Sequence, residues 1–183
     1  LEYPYFGYSA FRDRPVFVAC ATVTSAILYS LVICAFGAAL EGLFAGSGIK
    51  QRLATLRLPS YAVPFWGWMV IGGLYYVICF VVLYRLFLLP SSPGRTAAFA
   101  LIGAFMFINA LWNYFFFRTR NLFHAYVLGV PYSAVAISLF LVLLLRLDRV
   151  AAWCFLPYLL YLFFYANLWG YRIWKLNSSE QAS

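Results

Sequence analysis

Residues 109–120 read Asn-Ala-Leu-Trp-Asn-Tyr-Phe-Phe-Phe-Arg-Thr-Arg, and they close an uncharged run that begins at Thr96. At ~1.5 Å rise per residue, a run of this length crosses ~30 Å of hydrocarbon as a single helix. Asn109 and Asn113 are four residues apart, so two amides share one helix face with Trp112 close by. An amide exposed to lipid is costly, so that face is expected to look into the protein or into a cavity. Arg118 and Arg120 follow directly and can reach headgroups, which marks a membrane boundary. The stretch predicts a spanning helix with one side that avoids lipid.

Working outward, the same pattern repeats. Only 10% of the 183 residues are charged and 66% are hydrophobic, against roughly 25% charged in a soluble domain. Uncharged runs cover residues 15–40, 58–84, 96–117, 121–145 and 150–171. Each is long enough to span, so the expected fold is all-α, an integral membrane bundle of five transmembrane helices. A barrel would need ~10-residue segments of alternating polarity, and these runs do not alternate. The five spans make one membrane domain over residues 15–177. An aromatic interfacial arm is expected at 1–14, where Tyr3, Tyr5, Phe6 and Tyr8 precede Arg12 and Arg14, and a polar tail at 178–183. The first run is long for a signal-peptide core and shows no cleavage pattern, so it reads as a span.

The net charge of +8 is spread among loops, which suits headgroup anchoring and argues against nucleic acid. Six basic residues fall on the N-terminal side and seven on the other, favouring a cytoplasmic C-terminus in a multi-pass protein of, by expectation, a bacterial membrane. Cys20, Cys34, Cys79 and Cys154 lie inside spans without zinc-type or CxxC spacing, so they read as buried small apolar side chains. Ala35, Gly37, Ala38 and Ala39 let a neighbouring helix approach the first span. The strip Ala97, Ala100, Gly103 and Ala104 on the third span is a candidate homodimer face, with internal packing as the alternative.

The longest connection, residues 45–64, carries Lys50, Arg52 and Arg57 and ends in two prolines, Pro59 and Pro64. Pro59 disfavours helix at Leu58, whereas Pro64 suits a first helical turn. The loop is therefore expected to be ordered and folded over one end of the bundle. His124, the only histidine, sits one turn past the basic corner. It reads either as a solvated interfacial residue or as a donor or axial ligand for a tetrapyrrole metal. Pro131 should kink the fourth span. On the fifth, Tyr158, Tyr161 and Tyr165 repeat at helical spacing, which fits a polar-edged cavity or aromatic packing between helices.

These motifs, in this order, resemble the TspO/MBR family, the tryptophan-rich sensory proteins that include the mitochondrial translocator protein. Ile49-Lys50, Leu56-Arg57, Pro59-Ser60-Tyr61, Pro64 and Trp66 match its pattern ahead of the second span without a gap. Asn109, Ala110, Trp112, Phe116 and Phe117 match its Asn-Trp-x-Trp-x-x-x-Phe-Phe stretch, and Pro157-Tyr158-Leu159 its opening of the last span. The resemblance covers residues 49–177 and implies dimers and a pocket for porphyrins and other tetrapyrroles of the heme type, with sterols or carotenoid-like lipids behind them. No cofactor is obligatory under it. The pocket carried over comprises Trp68, Met69, Ile71 and Tyr76, then Asn109 and Trp112, then His124 and Val127, then Tyr161, Tyr165 and Leu168. His124 stands where the family has a tryptophan. Leu168, Tyr171 and Lys175 also satisfy a loose sterol-contact pattern.

Three departures decide the expected chemistry. The two family tryptophans linked to light-dependent porphyrin breakdown are Gly72 and Tyr161 here, and an acidic position on the fourth span is Leu128. The acids Glu2, Asp13, Glu41, Asp148 and Glu180 all fall at expected ends or loops, so no carboxylate pair is expected inside the bundle. There is no phosphate loop or Cys/His cluster. The expectation is a non-enzymatic, sensor-like or transporter-like binding protein. The alternatives are a non-catalytic scaffold or accessory subunit of a larger membrane (pigment–protein) complex and a porphyrin-degrading enzyme.

Overall fold

The computed structural model describes residues 16–178, and side chains from Thr22 onward; the expected arm and nearly all of the tail lie outside them. Six helices follow in order. α1 is Val16–Ala45, α2 the short loop helix Ile49–Thr55, and α3 Phe65–Leu88. α4 runs over Pro93–Arg118, α5 over Leu122–Leu147 and α6 over Arg149–Asn177. All but α2 are long and apolar enough to cross a membrane, as the uncharged runs predict.

Two helix ends lie off the edges of the uncharged runs and at the limits of the expected 45–64 connection. The apolar start of the second run is loop up to Pro64, which holds an extended conformation (ψ 163°) and launches α3. The first helix continues past Glu41 to Ala45 instead of stopping at the charge. The starts of α4, α5 and α6 are set by side-chain caps on otherwise orphaned N–H groups. Ser92 Oγ accepts from Arg95 N (3.2 Å), Asn121 Oδ1 from His124 N (3.0 Å), and Asp148 Oδ1 from Val150 N and Ala151 N (2.9 and 3.0 Å). Asp148 also takes a 2.7 Å ion pair from Arg85 Nε, which ties α3 to the start of α6.

Around the bundle, α1 packs on α3, α3 on α6, α6 on α5, α5 on α4, and α4 back on α1. The ring is closed. At the end where α3 finishes and α4 begins, its interior is solid: Val82, Leu86, Ala98, Leu139, Leu143 and Ala151 have no exposed surface. Phe105 sits at its centre, stacked on Tyr132 (4.7 Å between centroids) and edge-on to Phe155 (5.3 Å). A Cβ added to Gly37 would lie 2.6 Å from Met106 Cε, so glycine there permits the close approach of α1 to α4.

Proline effects appear as expected on α5, where the helix is interrupted at Leu128, three residues before Pro131. Pro157 is a correction. It lies eight residues inside α6, whose start is fixed by Asp148, and does not open that helix. Three π-helical turns occur, at Tyr114–Arg118, Leu143–Leu147 and Leu162–Ala166. Cys34 and Cys79 are buried, but Cys154 is exposed on the outer face of α6, against the expectation for it.

Candidate ligand cavity

The opposite end of the ring is hollow. A cavity of about 520 Å³ lies between α1, α3, α4, α5 and α6, inside the range typical of small-molecule sites. The 45–64 connection closes it from above. Arg57 N donates to Asn177 Oδ1 (3.0 Å) and Asn177 Nδ2 donates to Arg57 O (3.1 Å), so the end of α6 clasps the loop by both its amide atoms. Tyr165 Oη accepts from Val63 N (3.2 Å) and donates to Tyr61 O (3.3 Å). Arg52 Nη2 reaches Arg120 O (3.3 Å) at the turn between α4 and α5. Burial, and then the Arg120 charge, lower the Arg52 guanidinium from its ordinary range. Leu56 anchors the loop into an apolar cluster with Phe116, Leu122 and Trp169. The cap is ordered, as its prolines suggest.

Trp68 on α3, Trp112 on α4 and Trp169 on α6 form one wall. Trp68 and Trp169 approach to 4.6 Å between centroids, Trp112 and Trp169 to 6.2 Å, and Trp112 stacks on Phe116 at 4.7 Å. Tyr158, Tyr161 and Tyr165 run along α6 at 5.5 and 5.6 Å, with Tyr161 in the cavity and Tyr165 at its rim under the cap. Phe65, Met69 and Gly73 line the cavity yet are exposed, and all three belong to the cap end of α3, so the opening is lateral.

Of the expected residues, Trp68, Met69, Ile71, Tyr76, Asn109, Trp112 and Tyr161 are brought together in the lining. Four are not. Tyr165 holds the cap instead. His124 is exposed and stacks on Phe115 (5.5 Å); outside the cavity, it cannot serve there as an axial ligand. Val127 and Leu168 are also exposed. Their neighbours Ala125, Tyr126 and Gly129 on α5 and Trp169 and Gly170 on α6 take the inward places. α5 is apolar nearly all round, so periodicity gives no inward direction there, and the interruption at Leu128 and the π turn at Leu162–Ala166 change the register.

One lining residue overturns an expectation. Glu41, read as an end marker, sits in the cavity wall, where Asn109 Nδ2 donates to its Oε1. The Tyr76 hydroxyl lies beside the same carboxylate without a well-formed hydrogen bond. Asn113 Nδ2 donates to the main-chain carbonyl of Asn109 (3.0 Å), so the second amide of the opening stretch is satisfied within α4 while the first meets Glu41. No second described acid lines the cavity, and no group of His, Cys, Asp and Glu among the described residues could hold a metal. Two further buried lining groups, the Tyr75 hydroxyl and the Trp169 indole N–H, have no protein partner.

A ring of five membrane helices over an aromatic cavity capped by the first long loop is the arrangement the motifs imply, and the TspO/MBR family model matches residues 30–175. The chain belongs to the TspO/MBR family. No curated protein shows significant sequence similarity to it. The match begins within α1, so membership takes in that helix, which the motifs alone aligned only loosely. Within this TspO/MBR chain the two tryptophan-to-other departures fall on the cavity lining: Gly72, where an added Cβ would meet nothing within 4 Å, and Tyr161.

Proposed function

We propose that the protein is a membrane-embedded binding protein, sensor-like or transporter-like, for flat hydrophobic molecules of the tetrapyrrole class. The observation that carries this reading is the capped cavity walled by Trp68, Trp112 and Trp169. Ring faces hold flat π-systems by offset stacking, and the unpartnered Tyr75 hydroxyl and Trp169 N–H are donors available to acceptors on a ligand. Its lateral opening gives a membrane-dissolved molecule a route that avoids water. The test is a porphyrin fluorescence titration of ligand-free protein in lipid nanodiscs. Roughly micromolar affinity, ~8 kcal/mol, is expected. Trp112→Ala should weaken it, whereas Phe99→Ala should not, because Phe99 packs on Phe87 at the solid end. Unchanged fluorescence at tens of micromolar protein gives preference to the accessory-subunit reading.

That second reading has one observation in its favour. Ala97, Ala100 and Gly103 are exposed, and a Cβ at Gly103 would meet nothing within 4 Å, so the strip on α4 is unused within the chain. A second copy, or a helix of a larger complex, fits such a strip. Turnover is not part of the proposal. Glycine at 72 has no side chain to donate an electron, and one phenol at 161 does not replace two indoles. Under illumination, bound porphyrin should bleach no faster than with an inert membrane protein at equal concentration.

A further inference from the structure

We propose that Glu41 makes this cavity selective for flat aromatic ligands that carry a positive charge, such as a protonated ring nitrogen or amine. The inference rests on the cavity being a ligand site and names the class of ligand within it. Among the described lining residues Glu41 is the only carboxyl, and no lysine, arginine or histidine stands among them. It enters from the last turns of α1, where Asn109 on α4 holds one of its oxygens.

A carboxylate offers about four lone-pair sites, and the Asn109 amide fills one, so acceptor capacity remains for a donor on the ligand. Among the described residues no cation pairs with it. A carboxylate in an apolar wall at membrane depth is costly without a partner, and a cationic ligand supplies that partner. The aromatic lining acts in the same direction, because ring faces carry negative quadrupole density and Tyr76, Trp112 and Tyr161 border the cavity. A neutral ligand gains little from the carboxylate. A ligand carboxylate brought next to Glu41 is repelled, so the acid groups of a heme-type porphyrin belong at the opening, away from Glu41. Asn109 is a positioning residue here, keeping the carboxylate turned toward α4.

The test uses one ring system in three charge states: 9-aminoacridine, cationic at neutral pH, neutral acridine, and acridine-9-carboxylate. Each is titrated by fluorescence into the full chain in zwitterionic phosphatidylcholine nanodiscs, with empty nanodiscs subtracted. The cation should bind at least about ten-fold tighter than acridine, with the carboxylate weakest. Glu41→Gln should bring cation and neutral ligand within about two-fold of each other without changing acridine itself, and Glu41→Asp should keep the preference. Equal binding of all three, or a preference that survives Glu41→Gln, overturns the proposal. Failure of every acridine on protein that retains porphyrin also overturns it while leaving the binding function in place. Loss of porphyrin retention as well removes both.

Discussion

The two ends of the bundle are built from the same five helices and solve opposite problems. At the end holding Arg85 and Asp148, the helices meet over Phe155, Leu139, Leu143 and Ala151, with essentially no exposed surface. At the capped end the same helices stand around 520 Å³ of space, and contact is made by rings and by hydrogen bonds to a loop. Packing density, the main source of helix association in lipid, is therefore concentrated away from the site. Stability and binding are separable along the helix axis.

The sharpest way to break that comparison is at the solid end. Phe155→Ala opens a void in a region with no give and should cost ~3–5 kcal/mol of stability, read as a large drop in thermal midpoint, with porphyrin affinity of the folded fraction unchanged. Asp148→Ala removes two N-cap hydrogen bonds and the buried half of an ion pair whose arginine is partly exposed; ~2 kcal/mol is expected in the same assay. Equal losses from Trp112→Ala at the hollow end, with no change in binding, would erase the distinction. Gly72→Leu should act the other way round. Its side chain enters open cavity, so porphyrin affinity should fall about ten-fold while stability is unchanged or rises by up to ~1 kcal/mol. Tyr165→Phe is the finest probe: it removes the hydroxyl that meets Val63 and Tyr61, should cost ~1 kcal/mol, and should speed ligand release a few-fold in stopped-flow measurements.

What the sequence made legible follows the same division. Spans were readable because a bilayer demands ~20 uncharged residues wherever a helix crosses, and the amides of α4 were readable because lipid penalises them. Trp68, Asn109 and Trp112 followed from those arguments and from the motifs. Glu41 was misread because a charge in sequence marks an end unless a partner is known, and its partner is 68 positions away. His124 and Val127 were misplaced because an apolar helix has no polar face to orient it, and Leu168 because the π turn just before it shifts the register. The start of α6 was set by Asp148 and not by the more conspicuous Pro157.

The π-helical turn at Leu162–Ala166 can be counted in chain length. It holds about one residue more than an α-helix of equal rise, and one residue is about 100° of rotation. Everything after it is turned by that amount: Trp169 into the wall, Asn177 under Arg57. Deleting a single residue there would leave hydrophobicity, span length and every motif upstream untouched. The turn would close to regular α-helix of equal rise, so Trp169 would keep its place in the wall and Asn177 its place under Arg57. The turn thus absorbs a surplus residue and keeps the two ends of the site in register, whereas the same sequence wound as unbroken α-helix would turn the tryptophan toward lipid and part lid from wall.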